Sequence, residues 1–101
     1  MSQQISLKPS IVLPIFKKHL GNLRKVSIVL KQIATGIIAV QSSNLNLMTT
    51  LFESDASLKE EISFEITDPV KFFSEESLDL TLTDNGNVII LTDGIVTIYF
   101  S

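Results

Sequence analysis

Three short runs of strand-forming residues separated by two glycine turns constrain the fold more than any other feature of the sequence. The stretch SLDLTLTDNGNVIILTDGIVTIYFS (residues 77–101) places Asn85-Gly86 and Asp93-Gly94 between runs rich in Val, Ile, Leu and Thr. The Asn-Gly pair favours the positive φ of a type I′ turn, and Asp-Gly marks a second tight turn. Strands joined by tight turns pair antiparallel, so this stretch predicts an antiparallel meander.

The preceding residues contain further predicted strands, in which every second residue faces the same side. These are a short strand at 5–8, KVSIVLKQ (25–32), GIIAVQSS (36–43), NLNLMTTLFES (44–54) and EISFEI (61–66). The residues that alternation places on one face are, strand by strand, Val26, Ile28 and Leu30; Leu45, Leu47, Thr49 and Leu51; and Ile62, Phe64 and Ile66.

Two stretches predict short helices. In LPIFKKHLG (13–21), Pro14 suits a first helical turn and Gly21 suits a left-handed C-cap. At 100° per residue, Lys17 and Lys18 point away from the apolar arc, which holds Ile15, Phe16, His19 and Leu20. In TDPVKFFSEE (67–76), Pro69 follows a possible cap, Thr67 or Asp68, and the inward-facing residues are Val70, Phe72 and Phe73.

The element order is therefore β-α-β-β-β-β-α-β-β-β. It predicts an α+β fold in which one antiparallel sheet carries two short helices on one face, and residues 1–101 form a single domain. Each helix is followed by a group of strands, which hints at an internal duplication.

The composition limits the class of protein. Hydrophobic residues make up 45% of the chain, so we expect apolar surface that a homo-oligomer or a partner covers. The chain has no cysteine, which excludes disulfides, thiolate zinc sites and a cysteine nucleophile. No apolar run approaches the roughly 20 residues that span a bilayer, and MSQQISLKPS lacks the layout of a secretory signal. We expect a soluble, cytoplasmic protein with no membrane partner.

Charge is distributed unevenly along the chain. Residues 1–52 carry +6 with no acidic residue, whereas residues 53–101 carry −9. KKHLGNLRK (17–25) alone holds four of the eight basic residues and the single histidine. Three interpretations remain open: a solvated helix face, a contact with an acidic partner, or a surface for an anion or nucleic acid. In the last case the molecule is dipolar, and its other face serves solubility or head-to-tail pairing.

No catalytic or metal site is predicted. His19 lies on the apolar arc of its helix, where a core-edge histidine with one hydrogen bond is expected, and it lacks the partners of a metal ligand or general base. The stretch Asp84-Asn85-Gly86-Asn87 lacks the alternating ligands of a calcium loop. The remaining candidate carboxylates lie in predicted connections or at a helix end: Glu60, Glu61, Glu75 and Glu76. We expect no enzyme, no cofactor and no metal.

The last predicted strand offers a candidate interface. Tyr99 and Phe100 lie in IVTIYFS, which can form the edge of the sheet. An uncovered edge strand pairs readily with another chain, although aromatic residues in a strand are also ordinary core residues.

The layout resembles a DNA sliding clamp, specifically the N-terminal half of a phage-type polymerase processivity factor. The matching stretches cover nearly the whole chain: ISLKPSIVLPIFKKHLG, TGIIAVQSSNLNLMTTLFES, EEISFEITDPVKFF and SLDLTLTDNGNVIILTDGIVTIYFS. The resemblance implies a ring of six equivalent domains around duplex DNA, with helices lining the hole. Lys17 and Lys18 would then contact phosphate, with Arg24 and Lys25 as secondary contacts.

Two functions follow as expectations. The first is a non-enzymatic clamp-like protein, a processivity or DNA-associated factor that forms a homo-oligomer on duplex DNA and works with a polymerase or another replication protein. The alternative is a protein–protein interaction module, a phage or mobile-element factor that keeps the clamp fold without encircling DNA.

Overall fold

The computed structural model describes residues 2–42, 48–67, 73–77 and 79–100. They form one helix and eight strands, and the strands make two antiparallel four-stranded sheets. We name these sheet I, in the order β1-β6-β7-β8, and sheet II, in the order β4-β3-β2-β5. Sheet I comprises β1 (Gln3–Leu7), β6 (Leu80–Asp84), β7 (Ile89–Thr92) and β8 (Thr97–Phe100). Sheet II comprises β4 (Met48–Glu53), β3 (Ile37–Ser42), β2 (Lys25–Ala34) and β5 (Ile62–Thr67).

The division into two sheets corrects the expectation of one. β2-β3-β4 and β6-β7-β8 are each a meander, and each takes its fourth strand from the other half of the chain. β1 pairs with β6, with Ile5 opposite Leu82, while β5 pairs with β2, with Phe64 opposite Ile28. The two halves therefore have the same strand pattern, as an internal duplication would produce.

The core lies between the inward faces of the two sheets and helix α1 (Pro9–Leu20). The predicted alternation is confirmed in β2 and β5, because Val26, Ile28 and Leu30 and also Ile62, Phe64 and Ile66 are all buried. In β4 it is Phe52 that is buried, whereas Leu51 is 55% exposed. Thr49 is exposed on the same outward face as Leu51, and Leu45 and Leu47 lie outside the described residues. Sheet I contributes seven buried side chains, those of Ile5, Leu7, Leu80, Leu82, Ile89, Leu91 and Phe100.

Helix α1 begins earlier than the sequence predicts. Pro9 occupies its first position, and the Lys8 carbonyl accepts hydrogen bonds from the N–H groups of Ile11 and Val12, both 3.0 Å long. Pro14 lies inside the helix and not in its first turn. Its ring is exposed, so packing does not exclude it, although it cannot donate to the Ser10 carbonyl. The predicted end is confirmed at Gly21, whose φ is 57°.

Replacing Pro14 should stabilise the protein. In Pro14→Ala the helix regains an N–H donor, and a penalty of about 3 kcal/mol for an interior proline is removed. The substitution also makes the unfolded chain more flexible, which costs about 1 kcal/mol of stability. We expect the free energy of unfolding in urea to rise by about 2 kcal/mol, the difference of these effects. Pro9→Ala is the control for the backbone effect, because a proline at the first helical position lacks only an N–H that the helix does not use. The Pro9 ring is buried, so its truncation should not raise stability. A gain of equal size in both variants would contradict this account of Pro14.

The two turns of the C-terminal meander have the same length and the same pattern of side-chain hydrogen bonds. Residues 85–88 and 93–96 each form a four-residue loop, longer than the two-residue turn that Asn85-Gly86 predicts. The Asn85 Oδ1 accepts from Asn87 N and Val88 N, at 3.1 and 2.9 Å. The Asp93 Oδ1 likewise accepts from the N–H groups two and three residues on, at 2.9 and 2.8 Å. These side-chain acceptors satisfy backbone donors that a shorter turn would have paired across the strands.

The second predicted helix falls largely outside the described residues. Residues 68–72, including Pro69, Val70 and Phe72, are not described, and α1 is the helix that the described ranges contain. Residues 73–77 form a turn in which Ser77 N donates to Ser74 O over 3.1 Å. Phe73 is buried, as expected, with 6% of its surface exposed.

Candidate functional site

The basic residues of KKHLGNLRK are placed by the end of α1 and the connection to β2. Lys17 and Lys18 lie in the last turn of the helix, and both are exposed, as the helical period predicts. Their ammonium groups face solvent because Phe16 and Leu20 turn the other side of the helix into the core. Positive charge at this end also complements the partial negative charge of the helix C-terminus.

Arg24 and Lys25 follow the helix within five residues of Leu20. Leu23 N donates to Leu20 O over 3.0 Å, and this turn leads through Arg24 into β2. Both basic side chains are exposed, and Lys25 Nζ lies 3.4 Å from Glu65 Oε2 on the neighbouring strand. That ion pair partly neutralises Lys25, whereas the other three cations of the cluster have no ion pair among the described residues.

His19 anchors the basic helix end to sheet II. Its ring is 0% exposed; Nδ1 lies 2.7 Å from Ser42 Oγ, and Nε2 lies 2.8 Å from Thr50 Oγ1. The two hydroxyls belong to β3 and β4, so one side chain joins the helix to two strands. Burial lowers the pKa of His19, and the nearby charge of Lys18 lowers it further. The imidazole is therefore neutral at pH 7, with one nitrogen donating and the other accepting.

This geometry makes His19 a structural residue. The sequence predicts a core-edge position with one hydrogen bond, and the structure shows full burial with two hydroxyl partners. Sequence reasoning missed Ser42 and Thr50. The alternation that places Leu51 outward could have indicated that Thr50 points inward.

The remaining sequence candidates lie apart from the basic helix end. Glu60, Glu61, Glu75 and Glu76 are exposed in connections, as predicted. Within the described ranges no group of three or more histidines and carboxylates could hold a metal ion. In the same ranges no helix is both long and apolar enough to cross a membrane.

The terminal strand β8 lies at one edge of sheet I. Tyr99 is 66% exposed, whereas Phe100 is 5% exposed and packs against Phe64 with ring centroids 5.5 Å apart. At this edge the Tyr99 side chain and the strand backbone are therefore accessible, while the Phe100 ring belongs to the core.

Comparisons with known proteins point to one fold. No family model matches the chain, and no curated protein matches it in sequence. Among solved structures, a DnaN sliding clamp (DNA polymerase III subunit beta) from Bartonella birtlesii, bound to griselimycin, is similar with a TM-score of 0.67 and 12% identity. The match covers 99% of this chain and 29% of that one, so the chain spans less than a third of the clamp subunit. At this identity the likeness shows the fold, and the protein has a clamp-like fold of two antiparallel sheets with a basic helix end.

Proposed function

We propose that the protein is a non-enzymatic DNA clamp, a replication processivity factor of the phage type that assembles from copies of itself around duplex DNA. The observation that carries this proposal is the exposed pair Lys17 and Lys18, held at the end of α1 in a clamp-like fold. Residues 1–101 supply one clamp-like domain, which takes one of the six domain positions of such a ring. A polymerase or another replication protein is the further partner.

The basic cluster suits a ligand recognised by charge alone. Lys17 and Lys18 contact phosphate, and Arg24 and Lys25 contribute from the connection to β2. Ammonium groups near phosphates release condensed counterions, so log K falls with log[salt] by about 0.9 for each phosphate neutralised. Such contacts carry no sequence information, which suits a protein that must slide. Outside the cluster, eleven acidic residues outnumber four basic ones, which disfavours adhesion of the remaining surface to DNA.

The joint between copies is proposed at β8. Its open edge offers outward-facing backbone groups and the Tyr99 side chain, while the buried ring of Phe100 fixes the end of the strand beside them. The strand Thr97–Phe100 contains no charged residue that would oppose pairing.

Retention on circular DNA tests the proposal. We expect wild-type protein to stay on a closed circular duplex and to be lost when the same molecule is linearised, because a ring slides off an end. Lys17→Glu combined with Lys18→Glu should abolish retention and reduce the salt dependence. The matched control combines Lys31→Glu with Lys59→Glu, which makes the same change of charge outside the cluster. Equal retention by the two double variants would overturn the proposed DNA contact.

A protein–protein interaction module is the second candidate, favoured by the exposed apolar surface near β8. Ile95 is 91% exposed in the turn that precedes this strand, and Tyr99 is 66% exposed within it. An edge strand with exposed apolar side chains can accept a strand from a partner protein. This function predicts unchanged behaviour on DNA after charge reversal at Lys17 and Lys18, so the retention experiment separates the two.

A further inference from the structure

A cavity at the start of α1 combines an apolar floor with an acidic rim. Its volume is about 350 Å³, and it lies where the end of β1, the first turn of α1 and the end of β4 meet. Leu7 and Phe52, which are 2% and 9% exposed, line it together with the partly buried Ile11. The floor therefore suits an aliphatic side chain.

The rim of this cavity is negatively charged. Glu53, Asp55 and Asp79 line it, and all three are exposed, whereas Lys8 is its one basic lining residue. None of these four side chains takes part in an ion pair within the described ranges of the chain. The cavity therefore carries two uncompensated negative charges around its apolar floor.

The complementary surface follows the other end of the same helix. Leu23 is 47% exposed although it is a large aliphatic residue, and it directly precedes Arg24, which is also exposed. An exposed leucine beside an arginine complements the cavity, because the leucine side chain suits the apolar floor and the guanidinium suits the acidic rim. We call Leu23 and Arg24 the basic corner.

The basic corner cannot fill the cavity of its own chain. The two surfaces lie at opposite ends of the 12-residue helix α1. A helix of that length spans about 18 Å at 1.5 Å per residue, so an intramolecular contact is out of reach. A contact between copies would be head-to-tail, since different surfaces of the two copies meet, and it would leave one cavity and one corner available for the next copy.

We propose that the basic corner of one copy docks into the α1-start cavity of a second copy. Leu23 packs against Leu7, Ile11 and Phe52, and Arg24 pairs with the rim carboxylates. The contact differs from the β8 joint, because it uses neither the open strand edge nor Tyr99, and it requires no DNA.

Sedimentation velocity across a concentration series at low salt tests this contact. We expect wild-type self-association to weaken with salt, and Leu23→Ser to lower the association constant by about tenfold or more, as the loss of a central apolar anchor does. Ile95→Ser is the matched control: it removes an aliphatic side chain that is 91% exposed and does not line the cavity, and it should leave the constant unchanged. Equal effects of the two variants, or a wild-type protein that stays monomeric throughout, would overturn the proposal.

Charge exchange identifies the two surfaces directly. Arg24→Glu alone and Asp55→Arg alone should each weaken association, and the double variant should regain it to within about threefold of wild type, because the pair is restored with reversed polarity. Failure of the double variant to recover, with all proteins folded by circular dichroism, would refute the pairing of corner and rim.

The cavity contact can be tested apart from the proposed DNA contact through Leu23, although Arg24 is assigned to both. Leu23→Ser keeps all four cations of KKHLGNLRK, so it disrupts the cavity contact without removing a phosphate contact. Lys17→Glu with Lys18→Glu does the reverse. Because retention on a closed circle also requires assembly, the two readouts are taken separately: Leu23→Ser should weaken the self-association measured without DNA, and Lys17→Glu with Lys18→Glu should lose DNA retention while self-association stays unchanged. Wild-type self-association in Leu23→Ser sinks the cavity contact alone, and full DNA retention after charge reversal sinks the DNA contact alone.

Discussion

Phe64→Ala should cost about 3–5 kcal/mol of the free energy of unfolding, which is the range for truncating a buried phenylalanine. Phe64 is 4% exposed in β5 and meets Phe16 of α1 edge-on, with ring centroids 6.3 Å apart. It also packs against Phe100 of sheet I at 5.5 Å. One ring therefore connects the helix and both sheets, and its removal leaves a cavity that three elements would have to close. Equilibrium unfolding in urea measures the loss.

Leu51→Ala is the control for this prediction. Leu51 lies on the outward face of β4, an edge strand of sheet II, and is 55% exposed, so its truncation should change stability by no more than about 0.5 kcal/mol. Since small domains are stable by only about 5–15 kcal/mol, the expected loss in Phe64→Ala is a large fraction of the total stability. Similar losses in the two variants would show that Phe64 does not join the layers as described.

Stability should fall as the pH is lowered from 7 to 5, because His19 is buried as a neutral imidazole. Burial and the charge of Lys18 lower its pKa below the ordinary value of 6.5. The unfolded chain therefore binds a proton at a higher pH than the folded protein does. The contribution of neutral His19 is complete above about pH 6.5 and is lost as the pH falls through the lowered folded-state pKa. Urea unfolding at a series of pH values measures this slope.

His19→Gln separates this effect from other titrations. The amide can still hydrogen-bond with Ser42 or Thr50 but does not titrate, so its stability should be flat over the same interval. The pKa of Asp93 is also lowered, by hydrogen bonds from the backbone N–H groups of Val96 and Ile95. The stability that this carboxylate contributes is lost only below its ordinary value of 3.8, in a separate pH range. The same slope in wild type and His19→Gln would show that His19 is not the titrating group.

Local patterns predicted most strands, and long-range pairing explains what they missed. Alternation identified the buried faces of β2 and β5 because one side of each strand meets the core. It could not divide the strands between two sheets, since the pairing of β1 with β6 depends on residues far apart in sequence. The start of α1 was also missed. Pro14 suits the first turn of a helix, and the local sequence does not indicate that the helix begins at Pro9 and continues through Pro14.

The candidate site was predictable where it depends on helical period alone. The exposure of Lys17 and Lys18 follows from the burial of Phe16 and Leu20 on the opposite side of α1. The partners of His19 were not predictable, because Ser42 and Thr50 come from strands whose distance from the helix is set by the whole core. The cavity at the start of α1 was missed for the same reason, since its walls come from β1, α1 and β4.

The exchange of edge strands between the two halves has a consequence for synthesis on the ribosome. β1 emerges first but finds its partner only when residues 80–84 have left the exit tunnel. Until then the backbone N–H and C=O groups of β1 stay hydrogen-bonded to water. Sheet I is incomplete, and the core between the two sheets cannot form. Folding should therefore be slow for a domain of this size, and the nascent domain should stay vulnerable to proteases until residues 80–84 can pair with β1.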